Sequence, residues 1–391
     1  MSRARSVRMA DSEPGASWDA AGYIRHVLLP IGAIFLLSRA VLLLVGVLTS
    51  AQIAPAEPAS HTLLSYLCRF DCSWYLSVAQ HGYSTVESSA QAGATNLGFY
   101  PVYPLLVRLV SGLFNATPLH AAIAVSNVCF YVALIYVYRY ARLLGSDHHA
   151  ALLGTGLLCV LPQSIVFSAA YSESTFLLLL AVAMFYLRRE KYLIAGVAAA
   201  LLSATRANGI FFIVFAVAWL VRSVGVRGLF TPWRAPEKIV AIVFAPMGLL
   251  VFWGYCFATT GDAFAGPSTM YHGWGWYFSP PWRELPAMLR SDDVAFCSGL
   301  TILGLSACSL LLLRQRSYEE FAFCAALIVL MMSAAVTGSL FRYALVLFPV
   351  WIALARVLAP RPVLCLLAFS ILALLNAIMM SAWTLEKSIA I

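Results

Sequence analysis

Apolar runs of about 17–25 residues recur along the whole chain, and that repetition leaves few folds open. The first, Val27 to Leu48, holds a single charge, Arg39. Others lie at roughly 120–142, 149–169, 171–187, 192–205, 207–222, 238–258, 294–313, 319–337, 340–357 and 362–383, giving about eleven expected spans. Lipid offers the backbone no hydrogen-bond partners, so only helices or closed barrels can span it, and these runs exceed the roughly 9–11 residues of a barrel strand. Charged residues make up 11% of the chain, against about 25% in soluble domains. The expected class is therefore all-α: a multi-pass integral membrane protein with one membrane domain over 24–391. Residues 1–23 are polar and expected to be a disordered cytoplasmic tail. The first run lacks a small-residue cleavage site, so it is taken as a retained span.

The net charge of +8 is spread over short loops, the pattern of orientation signals and not of a nucleic-acid surface. With the N-terminus in the cytoplasm, seventeen of the 25 Lys and Arg fall on that side. Seven (Arg69, Arg108, Arg206, Arg283, Arg290, Arg342 and Lys387) fall outside, and Arg39 lies within the first span. Reading 192–222 as one long helix would export Arg222, Arg227, Arg234 and Lys238 together, so two short helices are preferred. At about 1.5 Å per residue these reach roughly 21–24 Å, short of a hydrocarbon core about 30 Å thick. Their shared turn, SATRANG, should sit below the outer surface, and so, more weakly, should AAYSES and TGSLFRY. Polar turns at that depth persist only in a wet cavity or packed in protein. The turns bear Arg206, Glu173 and Arg342, which points to one cavity open to the outside.

The largest polar insertion is the outer loop 49–119, with YLCRFDCSWYLSVAQHGY at its centre. Trp74, Tyr75, Val78, Ala79 and Tyr83 recur near helical spacing, which predicts an interfacial helix with Asp71 at its N-terminal end. A helix cap paired with Arg69 is the plain local reading of Asp71. Pro101 and Pro104, with Phe99, Tyr100 and Tyr103, predict a rigid aromatic entry to a second interfacial helix. Arg206 and Arg342 need partners near a membrane: either a lipid phosphate or carboxylates such as Glu173. Cys68 and Cys72 flank Asp71; helical geometry there would strain a disulfide, which is expected to be absent and would require an oxidising side. The histidines form no metal-binding pattern, and no metal or other cofactor is expected. The aromatic loop 259–293 suits an interfacial belt or stacking of sugar rings.

Five stretches in register, RFDCSWYLSVAQHGY, FYPVYPLL, YSESTF, SATRANG and FRYALVLFPV, resemble the PIG-V family of mannosyltransferases, over about residues 36–355. The resemblance implies a GT-C glycosyltransferase fold and a polyprenyl-phosphate sugar donor, dolichyl-phosphate mannose in eukaryotes. It implies Asp71 as the acidic residue of the first large outer loop, and Arg206 and Arg342 as its arginine-bearing turns. Phe70 and Cys72 depart from the usual neighbours of the acid, which bears on pocket shape. The chain is short beside eukaryotic members, which argues against a dedicated role in GPI-anchor synthesis. A bacterial inner membrane is the expected location, or the endoplasmic reticulum membrane in a eukaryote.

The resulting expectation is transfer of mannose to a lipid-linked or other extracytoplasmic acceptor by inverting displacement. Asp71 is the expected general base. Arg206, Arg342 and Arg69 are expected on the donor phosphate. Trp74, Tyr75, Tyr100, Tyr103, Glu173, Asn208 and Tyr343 are expected to line the pocket. Two alternatives stand: a GT-C enzyme for another polyprenyl-phosphate sugar, and a transporter or flippase of a lipid-linked or small polar substrate.

Overall fold

The computed structural model describes residues 19–53, 63–89, 91–226, 236–291, 294–336, 339–387 and 389. Every expected span coincides with helix, but not every helix is long. Five helices among the described residues are long and apolar enough to cross a membrane: α1 (Ala20–Ala51), α4 (Pro118–Leu143), α8 (Ala207–Val224), α13 (Val294–Arg314) and α17 (Pro362–Thr384). A bent pair, Pro236–Phe244 (α9) and Met247–Thr260 (α10), makes a sixth if taken as one span. The remaining expected spans are shorter: α5 (His148–Val160), α6 (Glu173–Arg188), α7 (Tyr192–Ser203), α14 (Tyr318–Met332), and α15 (Leu340–Leu345) followed by α16 (Phe348–Leu358). The two predicted loop helices are present as α2 (Cys72–His81) and α3 (Val102–Phe114). Two further short helices are α11 (Ala265–Trp274) and α12 (Pro281–Arg290).

Local chemistry explains the breaks. Pro162 follows Leu161, whose ψ of 143° has left the helical region, as a residue before proline does. Pro246 sits at the 43° bend between α9 and α10, having no N–H for the helical ladder. Asp19 caps α1 by accepting the Gly22 N–H at 2.7 Å. The helix therefore begins at Ala20, inside the tail expected to be disordered; residues 1–18 lie outside the described set.

The end of α5 is buried, so its free carbonyls need donors. Arg39 of α1 supplies one, donating to the Cys159 carbonyl at 2.8 Å, and it donates also to the Ser164 carbonyl in the turn that follows at 2.7 Å. It neither snorkels nor pairs with an acid. On α17 the apolar residues Leu364, Leu366, Leu367, Ile371 and Leu374 are exposed, a face that water would not tolerate and lipid would. The molecule is a multi-pass membrane protein.

Charge sorts to the two ends of α6. At its last turn Arg188 donates to Glu320 at 2.6 Å and Glu319 at 3.3 Å, with Tyr140 bonded to the same Glu320. At its first turn stands Glu173. Fifteen residue steps separate Glu173 from Arg188, about 22 Å of helix.

Candidate active site

Asp71 precedes α2, and its carbonyl accepts the Trp74 N–H at 3.1 Å. Its side chain makes no capping bond. It turns instead to Arg342, 271 residues away, whose Nη1 donates to Oδ2 at 2.9 Å. The same Nη1 lies 3.7 Å from Glu173 Oε1. That oxygen also receives Arg206 Nη1 at 2.5 Å. The result is an alternating row of carboxylate, guanidinium, carboxylate and guanidinium. Asp71 is 19% exposed and Arg206 15%, while Arg342 and Glu173 are 5% and 2% exposed. The row is neutral as a whole, as buried charge must be.

Each residue is placed by a helix boundary. Glu173 opens α6, where the helix dipole favours a carboxylate. Arg206 is the extended residue between α7 and α8. Arg342 lies in the one-and-a-half-turn α15, with Nη2 on Ser339 Oγ at 2.5 Å. The guanidinium of Arg342 lies over the Tyr171 ring at 5.3 Å, and that of Arg206 over the Tyr343 ring at 5.1 Å. The predicted convergence of the three polar turns is thus observed for Glu173, Arg206 and Arg342; Thr337 and Gly338 of the third turn lie outside the described residues.

Several expectations need correction. Arg69 does not pair with Asp71: it donates to Glu386 at 2.6 Å. Asp71 is therefore neither a side-chain cap nor a partner of Arg69, because a buried guanidinium competes for it and wins. Arg206 and Arg342 take the carboxylate partners of the two alternatives. Cys68 and Cys72 form a disulfide, with Cα atoms 5.2 Å apart. The helix that would have strained it starts only at Cys72, and the left-handed Phe70 (φ 49°) folds the intervening residues back.

The expected pocket residues divide. Tyr75 is buried against Phe99, Tyr103 and Tyr171, its hydroxyl 2.9 Å from Ser172 Oγ. Burial pushes its phenol well above the usual range, with the positive charge of Arg206 opposing. Trp74 stacks on Phe99 and meets Trp274 edge-on. Asn208 lies two residues after Arg206, with a buried Oδ1 that has no partner among the described residues. Tyr103 belongs to the core: its hydroxyl bonds Ser126 and the Ala122 carbonyl. Tyr100 packs on Phe252 in a separate apolar cluster. Tyr171, Ser172 and Ser339 were missed. Tyr171 and Ser172 adjoin Glu173 in one polar turn, a signal that could have found them. Among the described residues no group of three or more His, Cys, Asp or Glu could hold a metal.

Comparison with known proteins places the chain in a family. The mouse GPI alpha-1,6-mannosyltransferase 2 is 28% identical over 233 residues, 54% of this chain and 46% of that protein. The GPI mannosyltransferase 2 of Drosophila pseudoobscura pseudoobscura is 31% identical over 122 residues, 29% of this chain and 25% of that one. The chain spans about half, or less, of the length of such curated relatives. The Archaeoglobus fulgidus oligosaccharyltransferase, in a crystal structure with a tethered acceptor peptide, aligns with a TM-score of 0.47 at 11% identity, covering 94% of this chain and 56% of that one. That likeness is too slight to bear on the reaction. The model of the family described as Mannosyltransferase (PIG-V) matches residues 27–252, a stretch that holds Asp71, Glu173 and Arg206 and leaves Arg342 beyond it. With more than half of its length so matched, the chain belongs to the mannosyltransferase (PIG-V) family.

Proposed function

We propose that the protein transfers mannose from a polyprenyl-phosphate mannose to a hydroxyl of a lipid-linked or other extracytoplasmic acceptor, with Asp71 as general base. One observation carries this reading. Arg342 engages Oδ2 of Asp71 and so orients the carboxylate, while Oδ1 makes no hydrogen bond among the described residues and the side chain stays partly exposed. An oriented carboxylate with one free oxygen can take a proton from an acceptor hydroxyl. The acceptor oxygen, giving its proton to Asp71, attacks the anomeric carbon as the lipid phosphate leaves, so a β-linked donor yields an α-mannoside.

The phosphate would sit on donors that the chain leaves unused. The Nε–H groups of Arg342 and Arg69 are buried without partners. Among the described residues, the Arg69 side chain is paired only with Glu386, which is 56% exposed. Such surface pairs are worth about 0–1 kcal/mol, so Arg69 can turn to a donor phosphate, whose charge grows from one to two as the sugar leaves it. Arg206 supplies further positive potential through Glu173 and Arg342. No metal is assigned to the step.

We also assign the chain a GT-C architecture with eleven crossings, a cytoplasmic N-terminus and an outward-facing site, in a bacterial plasma membrane or, in a eukaryote, the endoplasmic reticulum. The sorting of Arg188 and Arg222 to one end and Asp71 to the other supports that orientation. The test is transfer of radiolabelled mannose from polyprenyl-phosphate mannose in membranes that supply endogenous acceptors. Asp71→Asn should lower transfer by about 10²–10⁴-fold. Full activity in that variant refutes the base; no transfer by the wild type refutes the reaction.

A further inference from the structure

The turn that presents Asp71 is held in a conformation its sequence does not favour. Phe70 has φ 49°, a left-handed geometry that is rare for a bulky side chain and persists only where the surroundings impose it. Three restraints meet there. The Tyr171 hydroxyl donates to the Arg69 carbonyl and accepts the Asp71 N–H, both at 2.9 Å. One buried hydroxyl thus joins the two peptide groups that flank Phe70. The Phe70 ring sets its edge against Trp383 at 5.2 Å, and Trp383 is fully buried, its Nε1 donating to the Tyr66 carbonyl at 2.7 Å. The Cys68–Cys72 bond closes the loop on both sides of the acid. None of these groups hydrogen-bonds to the Asp71 carboxylate; all of them restrain the turn that carries it.

We propose that the Cys68–Cys72 disulfide and the Tyr171 hydroxyl form a clamp that aims the Asp71 carboxylate, so that the rate of transfer depends on the oxidation state of the cysteine pair. The proposal rests on Asp71 acting as the base. The cysteines and Tyr171 are positioning residues. Released from the clamp, Phe70 can relax towards the ordinary right-handed or extended regions, and the Asp71 peptide turns with it. The contact with Arg342 and the direction of Oδ1 both change. A displacement of about 1 Å at a reacting group can cost about 100-fold in rate. The bond also bears on sidedness, because disulfides persist in oxidising compartments, which suits a loop outside the cytoplasm. Reduction is a two-electron exchange. Dithiothreitol breaks the sulfur–sulfur bond, each cysteine takes up one hydrogen, and the reagent closes to its own cyclic disulfide.

The experiment uses the full-length protein purified in detergent, in two arms. The first is peptide mapping after alkylation without reductant. Trypsin cuts after Arg69, between the two cysteines, so an intact bond joins two peptides that reduction separates. Free, alkylated thiols at both positions overturn the proposal. The second arm is steady-state mannosyl transfer by the wild type with and without dithiothreitol, by Cys68→Ser/Cys72→Ser, and by Tyr171→Phe. The expected result is a fall in kcat of about 10- to 100-fold with KM for the donor within about twofold. Dithiothreitol should slow the wild type and leave the double-serine variant unchanged. Combined with Asp71→Asn, the cysteine substitutions should add little further loss, since aiming matters only while there is a base to aim. A role in stability alone would lower the amount of folded enzyme and leave kcat per folded molecule intact, and that result overturns the clamp. Wild-type protein that carries the bond but transfers nothing overturns the proposed function, and the clamp's purpose falls with it; the peptide map tells this outcome from failure of the clamp alone.

Discussion

Glu173→Gln tests whether the row of charges is one unit. Glu173 Oε1 serves Arg206 at 2.5 Å and Arg342 at 3.7 Å, and its side chain is 2% exposed. Glutamine has nearly the same shape and can still accept from Arg206, so packing and one hydrogen bond survive. What changes is charge: two guanidinium groups are left with one carboxylate, that of Asp71. Removing one member of a buried ion pair costs about 3–5 kcal/mol, most of it the penalty of the orphaned partner. Arg206 is 15% exposed, so water can reach it in part, and the lower end, about 3 kcal/mol, is expected. The assay is reversible unfolding in mixed micelles titrated with dodecyl sulfate. The double variant Glu173→Gln/Arg206→Gln restores neutrality and should be more stable than the single variant by at least about 1 kcal/mol. A single variant within about 1 kcal/mol of the wild type, or a double variant no better than the single, would falsify the claim that charge balance holds the site together.

Three further outcomes are expected. Gly209→Ala places a Cβ 2.5 Å from the Leu202 carbonyl oxygen, so the turn bearing Arg206 must shift; transfer should drop about tenfold or more, while Gly254→Ala, which meets nothing within 4 Å, should match the wild type in the same assay. Arg39→Leu removes two hydrogen bonds from a charged donor to the Cys159 and Ser164 carbonyls, and at about 1.5–3 kcal/mol for each bond to a charged group, micelle unfolding should show a loss of about 3–6 kcal/mol. Tyr75→Phe removes the hydrogen bond to Ser172, worth about 1 kcal/mol; burial raises this phenol and keeps it protonated, so the pH–rate profile between about pH 6 and pH 9 should keep its shape, and a vanished alkaline limb would show that Tyr75 titrates there.

Much of the site was visible one residue at a time. Asp71 stood out because it opens the amphipathic stretch in the longest polar loop of an oily chain, where the family resemblance places its acidic residue. Arg206, Glu173 and Arg342 stood out because helices of 16 residues or fewer leave their connecting turns near apolar surroundings. What no local pattern could supply was the pairing. Arg69 and Arg342 are equally competent donors, and nearness in sequence favoured Arg69. The packed structure seats Arg342 beside Asp71 and sends Arg69 to Glu386.

The sequence by itself determined that the chain is helical and that it lives in lipid. Those properties follow from hydropathy and charge, and both are sums over residues that need no coordinates. The tertiary structure decided the rest. It showed that Cys68 and Cys72 meet, since a disulfide depends on the path of the backbone and a left-handed Phe70 is not written in any period. It put Tyr171 under the turn of Asp71 and set Tyr103 into the core, although both are tyrosines in polar aromatic motifs. Contacts between residues a hundred or more positions apart depend on how helices pack, and packing is a property of the whole chain that no single stretch of it contains.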